Sequence, residues 1–264
     1  MTLPEEEENG MIIRNEIPLL EFDDDKKAVI NPAHEKLDLQ LPPKCVFAFV
    51  GEYMSEYAAK TNACKVSEFL SMTKRYPVYV TEYRGEKVAL CEAPVGAAAA
   101  VQVLDWLIAY GVRKVMSAGS CGALESFPES TFLVPRKALR DEGTSYHYAP
   151  PSRYMEISQK ARSAIEATIL EHNMKYQEVV TWTTDGFFRE TREKVKYRRR
   201  EGCSVVEMEC AALAAASAFR GVEWGMILYT ADSLADVERY DERNWGGNAY
   251  EYALTLCLDA VLKM

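Results

Sequence analysis

The stretch Val205-Val206-Glu207-Met208-Glu209-Cys210-Ala211-Ala212 decides the fold, because an apolar strand changes there into a small-residue helix with two acids at the junction. Alternation along an extended segment sends Glu207 and Glu209 to the same face. Buried carboxylates cost free energy unless they have partners, so the junction predicts a binding site for a polyol, a cation or an arginine. The alternative interpretation is structural, since acids at the start of a helix complement its dipole.

The same change from strand to helix recurs along the rest of the chain. Cys45–Val50 is an apolar run that ends at Gly51, as a buried strand does. Gly96 begins an amphipathic helix that continues to Tyr110 and closes at Gly111. Further extended segments are predicted at Val78–Tyr83, Lys87–Cys91, Lys114–Ala118, Thr131–Val134, Val179–Trp182 and Glu223–Tyr229, and further helices at Ser158–Glu171, Arg189–Glu201 and Ala249–Lys263.

This alternation predicts an α/β fold, a single domain with a central mixed β-sheet flanked by helices. The sheet is mixed because Arg84-Gly85 forms a hairpin turn, which makes its two flanking strands antiparallel. The chain has 264 residues, 48% of them hydrophobic, and no composition break divides it after residue 30. Residues 31–264 are therefore predicted to form one domain with a full core.

Residues 1–30 are predicted to be an acidic N-terminal extension. Glu5–Glu8 and Asp23–Asp25 are two acid blocks of the kind that stay solvated. The apolar patch Ile17–Phe22 separates them, and its Pro18-Leu19-Leu20 is a candidate point of attachment to the body or to a partner subunit.

The bulk composition narrows the class of protein. A net charge of −9 argues against nucleic acid and anionic membranes as partners. The acidic N-terminus does not look like a signal peptide, and no apolar run is long enough to span a bilayer. Seven scattered cysteines and three histidines show neither disulfide-scaffold nor zinc-ligand spacing. These features predict a soluble cytoplasmic protein without a bound metal.

Glycines and short polar side chains follow three of the predicted strands. They are Gly51, the turn Gly119-Ser120-Cys121-Gly122, and Thr230-Ala231-Asp232-Ser233. In open α/β sheets, ligands bind at the carboxyl ends of strands. Glycines there leave backbone N–H groups free to approach an anion, and Ser120 adds a hydroxyl donor. A turn of this composition also occurs without any ligand, so it does not identify a site by itself.

Together these pieces resemble the nucleoside phosphorylase-I family, which includes purine nucleoside phosphorylases, uridine phosphorylases and related nucleosidases. The resemblance covers residues 31–264 as the catalytic domain and implies a pentosyltransferase. Such an enzyme cleaves the C1′–N bond of a nucleoside with inorganic phosphate as co-substrate, without a cofactor, and releases the base and ribose 1-phosphate. The segments that carry it are Gly51, Ser117–Gly122, Arg140–Tyr146, Val205–Ala212 and Ala231-Asp232.

The resemblance implies a set of nucleoside-binding residues. Glu209 matches the ribose carboxylate, which accepts hydrogen bonds from the 2′- and 3′-hydroxyls. Met208 matches the residue that packs against the ribose, Glu207 matches an acid near the base, and Phe187 matches the aromatic that stacks on it. His34 lies close to where a neighbouring subunit of the family supplies a His to the 5′-hydroxyl, which implies a homodimer or a hexamer built as a trimer of dimers.

The resemblance also implies that Asp232 gives a proton to N7 of a departing purine, with Arg243 as its helper. Burial would keep that carboxyl protonated. The pyrimidine branch instead reads uracil with a Gln-x-Arg after the stacking aromatic, and Arg189-Glu190-Thr191-Arg192-Glu193 contains no Gln. A purine nucleoside is therefore favoured, while Arg189 and Arg192 leave a uridine phosphorylase open.

The expected phosphate site departs from the family pattern. Gly51 and Ser120 match its phosphate-binding groups, but Ser117 and Ser55 stand where phosphorylases usually carry arginines. Without these arginines the phosphate lacks its bidentate clamp. The candidate replacements are Lys74 or Arg75, which would act on an adjacent subunit, and Arg140, whose match is to a structural motif.

Two other functions stay open. Hydrolytic members of the family lack these arginines and activate water with a glutamate, and Glu52 and Glu56 lie in that neighbourhood. A storage or binding protein is the third reading, which the joint presence of Glu209, Phe187 and Asp232 disfavours.

Overall fold

The structure is a computed structural model that describes residues 12–247 and 249–264. Strands and helices alternate along most of the chain, as predicted. The strands are β1 (Lys44–Ala48), β2 (Cys64–Leu70), β3 (Arg75–Tyr83), β4 (Glu86–Glu92), β5 (Lys114–Ala123), β6 (Phe132–Asp141), β7 (Tyr154–Glu156), β8 (Gln177–Thr184), β9 (Cys203–Glu207) and β10 (Glu223–Ser233). The α-helices are α1 (Tyr53–Lys60), α2 (Ala97–Ala109), α3 (Gln159–Glu171), α4 (Arg192–Arg200), α5 (Cys210–Arg220) and α6 (Ala249–Lys263).

The ten strands form one mixed sheet, which confirms the predicted fold class. β5 lies at its centre, pairs in parallel with β1 and β10, and is buried along nearly its whole length, as a strand covered on both faces is. The predicted hairpin is formed by the antiparallel strands β3 and β4.

One part of the sheet closes on itself. β10 pairs with β6, β6 with β8, β8 with β9, and β9 returns to pair with β5. The strands β1, β4, β3 and β2 extend from β5 on the other side. The closed part brings the ends of β5, β8, β9 and β10 together, and this closure was not predicted from the sequence.

The predicted turn at Gly119–Gly122 was wrong, because these residues continue β5. Their glycines serve close packing instead. A Cβ atom on Gly119 would lie 3.0 Å from Cε of Met226, and one on Gly122 would lie 2.9 Å from Cδ1 of Leu234. Thr230–Ser233 likewise continues β10 rather than following it.

Helices cover both faces of the sheet. α5 packs against α2 on one face, where its run of small buried residues allows a close approach. α3 and α6 pack against each other on the other face, and α6 also contacts β5 and β1. None of the helices among the described residues is both long enough and apolar enough to cross a bilayer.

The described part of the N-terminal extension contacts the body of the same chain. Pro18–Leu20 forms a 3₁₀ turn, and Cδ1 of Leu19 lies 3.8 Å from the position of a Cβ on Gly143. The carbonyl of Lys26 accepts a hydrogen bond from Arg220 at 3.3 Å. The acid block Glu5–Glu8 lies outside the described residues.

Candidate active site

A cavity of about 350 Å³ opens where β5, β10 and the junction between β9 and α5 meet. The predicted site residues that line it are Ser120, Phe187, Glu207, Met208, Glu209 and Asp232. The other lining residues are Phe49, Val95, Gly119, Cys121, Gly122, Glu190, Val206, Ala231 and Trp245. A larger groove of about 860 Å³ lies beside β2 and β3 and contains none of the predicted site residues.

Glu207 ends β9, and the protein itself satisfies both of its carboxylate oxygens. Oε1 accepts from the hydroxyls of Thr181 at 3.0 Å and Thr183 at 2.6 Å. Oε2 accepts from the backbone N–H groups of Glu209 at 2.7 Å and Cys210 at 2.6 Å. These N–H groups belong to the start of α5 and have no partner within the helix. The structural interpretation is therefore confirmed for Glu207, which caps α5.

Glu209 lies in the same wall but keeps acceptor capacity. Its side chain is buried, and Oε1 accepts one hydrogen bond, from the backbone N–H of Gly96 at 2.5 Å. Burial, and then the charge of Glu207, raise the pKa of Glu209 to about 8. A carboxylate can accept several hydrogen bonds, so the remaining lone pairs are available to a ligand in the cavity.

Asp232 lies near the end of β10 with a raised pKa. Burial is the main cause, and it is opposed by the hydroxyl of Tyr240, which donates to Oδ2 at 3.1 Å, and by the charge of Arg243. Arg243 itself does not line the cavity. Its Nη2 donates to the carbonyl of Phe127 at 2.8 Å, and its Nε lies 3.6 Å from the carboxylate of Asp241.

Glu190 is a lining residue that sequence reasoning missed. It follows the 3₁₀ turn Phe187–Arg189 and makes no hydrogen bond with another described residue through its side chain. Burial and the nearby charge of Asp232 raise the pKa of Glu190 to about 7, and Lys194 opposes this shift. The cavity therefore presents two carboxyl groups side by side that both favour protonation.

Aromatic side chains stand at the mouth of the cavity. Phe187 is 43% exposed and meets Phe188 edge-on, with ring centroids 4.9 Å apart. Met208, half-buried, lines the wall between the two glutamates. Trp245, which the sequence analysis does not name, is 53% exposed.

The expected phosphate residues are only partly brought together. Ser120 is the exposed residue of β5, and its hydroxyl faces the cavity without a bond to another described residue. Gly51 has a positive φ of +56° after β1 but does not line the cavity. Ser117 is buried, and its hydroxyl accepts from the indole N–H of Trp224 at 3.0 Å.

The guanidinium of Arg140 makes four hydrogen bonds within this chain. It donates to the hydroxyls of Ser145 and Ser152, each at 2.8 Å, and to the carbonyls of Ala149 and Pro150. Arg140 therefore fixes the loop after β6, and its structural role is confirmed.

The remaining predicted residues lie outside the cavity of this chain. Lys74 pairs with Glu92 at 2.6 Å, and Arg75 pairs with Glu68. The exposed His34 has its Nδ1 3.0 Å from the carbonyl of Asn31. The two candidate bases for water, Glu52 and Glu56, are exposed and do not line the cavity either.

The charged residues among the described lining of the cavity are all acidic. Of the lining residues in the described part of the chain, four are acidic and none is Lys, Arg or His. Such a wall can accept hydrogen bonds from sugar hydroxyls and ring N–H groups and can give a proton to a leaving group. It has no cation of its own for an anionic co-substrate.

Comparison with known proteins agrees with this geometry. A guanosine phosphorylase from Halorubrum lacusprofundi is 24% identical over 62% of this chain and 68% of its own length. The AMP nucleosidase of Bacteroides thetaiotaomicron has a TM-score of 0.68 and 25% identity, covering 84% of this chain and 88% of that one. A uridine phosphorylase from Vibrio fischeri shares the fold, with a TM-score of 0.72, 21% identity and coverage of 85% and 93%.

The model of the phosphorylase superfamily matches residues 43–263, which include every residue that lines the cavity. The glycines of β5, the two glutamates at the start of α5 and the aspartate of β10 all meet within that span. The chain accordingly belongs to the phosphorylase superfamily, in the nucleoside phosphorylase-I family.

Proposed function

We propose that this protein cleaves the C1′–N bond of a purine nucleoside and transfers the ribosyl group to inorganic phosphate. The observation that carries the proposal is the pairing of two buried carboxyl groups in one cavity, Glu209 with open acceptor capacity and Asp232 with a raised pKa. The first suits a sugar diol and the second suits a departing base.

Glu209 would bind the ribose. Hydrogen bonds from the 2′- and 3′-hydroxyls would favour the charged form of Glu209, which burial alone disfavours. These hydroxyls become better donors to the carboxylate as positive charge develops on the sugar. The Gly96 N–H holds one of its oxygens, which orients the group. Glu207 would act through the backbone of Glu209, because it caps the helix on which Glu209 sits.

Asp232 would protonate N7 of the purine. A carboxyl whose pKa is raised by burial holds its proton closer to neutral pH, which is what a general acid requires. Glu190 lies beside it and would accept from a ring N–H of the base. Together they favour a 6-oxopurine nucleoside, in keeping with the guanosine phosphorylase among the relatives.

A hydrolytic nucleosidase is the second candidate, and the absence of Lys, Arg and His from the described cavity lining favours it. A phosphate dianion beside four acidic side chains would need cations from elsewhere. In a homodimer or hexamer, Lys74 or Arg75 of an adjacent subunit would supply them and His34 would reach the 5′-hydroxyl. Water needs no such cation, and an AMP nucleosidase is among the structural relatives.

The test is a panel of inosine, guanosine, adenosine and uridine, assayed with and without inorganic phosphate. Saturable dependence on phosphate with formation of ribose 1-phosphate supports phosphorolysis. Release of base with free ribose, at a rate indifferent to phosphate, supports the nucleosidase. Cleavage of uridine alone would overturn the purine assignment, and binding without base release from any nucleoside would overturn the enzymatic proposal.

A further inference from the structure

Trp245 lies in the loop between β10 and α6, where the backbone is unusually contorted. Arg243 and Trp245 both have a φ of +51°, and they are followed by Gly246 at +83° and Gly247 at +52°. A bulky residue in the left-handed region is strained, and such residues concentrate at ligand-binding positions.

The loop is held in this shape from both sides of the tryptophan. The carboxylate of Glu129 accepts from the backbone N–H groups of Asn244 at 3.0 Å and Gly246 at 2.9 Å. The hydroxyl of Ser130 donates to the carbonyl of Gly246 at 3.0 Å. The backbone on either side of Trp245 is therefore held by contacts that the indole itself does not make.

The indole of Trp245 differs from the other three in the chain. Trp106, Trp182 and Trp224 are buried, and their N–H groups donate to Glu35, Asp141 and Ser117 at 2.8, 2.9 and 3.0 Å. Trp245 is 53% exposed, lines the cavity, and donates to no other residue within 12–247 and 249–264. An exposed aromatic ring with an open donor, displayed by a strained loop, is suited to bind a ligand.

We propose that Trp245 binds the base of the substrate by packing its ring against the purine and donating its N–H to the bound nucleoside. This inference rests on the proposed function. Gly246, next in the chain, packs against Tyr229 and Ala231 of β10, and Trp245 lines the same cavity as Asp232, the proposed proton donor to the base. A bicyclic purine covers more of an indole than uracil does, so Trp245 would select for purines.

The experiment compares Trp245→Ala, Trp245→Phe and Trp245→Gly in the full chain. Stacking of a base on an aromatic side chain contributes about 1–3 kcal/mol, so Trp245→Ala should raise KM for inosine about 5- to 150-fold. Trp245→Phe keeps a ring and loses the N–H, and should raise KM about 2- to 10-fold. Titration with hypoxanthine should change tryptophan fluorescence in the unaltered protein, and Trp245→Phe should abolish the change.

Trp245→Gly separates binding from folding. Glycine relieves the left-handed strain, so the Tm should stay the same or rise while purine binding falls as in Trp245→Ala. Asn173→Gly is the matched control, since Asn173 has a φ of +57° and lies outside the cavity; it should leave KM and the fluorescence change intact.

The inference is overturned if Trp245→Ala and Trp245→Gly bind inosine and hypoxanthine within twofold of the unaltered protein. It is also overturned if Trp245→Gly lowers the Tm and leaves KM unchanged, because the indole would then serve the fold. If the unaltered protein cleaves no purine nucleoside, the proposed function fails, while the hypoxanthine titration still decides whether Trp245 binds a purine.

Discussion

The wall of the cavity and the turn between β2 and β3 both carry charged residues that the sequence predicts to bind substrate. The two regions differ in the partners that these charged groups have within the protein. In the wall, Glu209 has one backbone donor and Asp232 has one hydroxyl donor, and both are buried. At the turn, Lys74 and Arg75 are exposed, and each has a carboxylate partner within this chain.

The difference shows which charges point to a ligand. A buried carboxyl with open acceptor sites costs folding free energy. A ligand that donates hydrogen bonds to it recovers that free energy, so such a group indicates a binding function. An exposed ion pair contributes little either way and is uninformative on its own. The largest effects of substitution are therefore expected in the wall.

Asp232→Asn should have the largest effect on catalysis. Asparagine has nearly the same shape but no proton to give, and general-acid help contributes roughly 10²- to 10⁴-fold. We expect a loss of that size in kcat for inosine and a much smaller loss for a nucleoside whose base departs without protonation. Steady-state rates on the two substrates measure the contrast, and equal losses on both would remove Asp232 from the role of acid.

Glu209→Gln should have the next largest effect. The amide accepts with one oxygen and turns a donor toward the sugar hydroxyls. Loss of the charge-assisted pair should cost about 2–4 kcal/mol, or ~30- to 1,000-fold in kcat/KM. Glu207→Gln is the contrasting variant, because its main cost should appear as a lower Tm. Near-normal turnover of a folded Glu209→Gln protein would contradict the ribose assignment.

The same carboxyl should make stability depend on pH. The pKa of Glu209 rises from its ordinary 4.5 to about 8 on folding, so between these values the folded protein keeps a proton that the unfolded chain releases. Stability should therefore fall as pH rises from about 4.5 to about 8, by about 4 kcal/mol. Urea unfolding at pH 5 and pH 8 measures the slope, which Glu209→Gln should flatten. A slope unchanged in that variant would assign it to other groups, such as Glu190.

Site features that are determined by neighbouring residues could be predicted from the sequence, and those that depend on distant residues could not. Glu209 lies at a strand–helix junction that neighbouring residues define, so its place in the cavity could be predicted. The glycines of β5 were misread as a turn, because local glycine signals are overridden there by pairing with β10 over the whole length of the strand.

Glu190 and Trp245 could not be found this way. Glu190 sits in the charged run Arg189–Glu193, which resembles a solvated segment, and its place in the cavity lining with Asp232 arises only in the folded chain. Trp245 stands among turn residues, and a positive φ at a tryptophan has no counterpart in sequence preferences. Both residues acquire their surroundings only when distant segments meet.

Ser120→Ala should have the smallest effect of these substitutions. It tests whether phosphate or water accepts the ribosyl group. Ser120 offers a hydroxyl to the cavity in the part of the site where the sequence expects phosphate. If phosphate binds there, removal of one neutral donor to a charged acceptor should cost about 1–2 kcal/mol, or ~5- to 30-fold in the phosphate KM. The KM for the nucleoside should hardly change. Initial rates over a phosphate series measure this. If base release instead ignores phosphate in both the unaltered protein and Ser120→Ala, and a reducing sugar accumulates, water is the acceptor. The lack of a lining Lys, Arg or His among the described residues would then account for the use of water in place of phosphate.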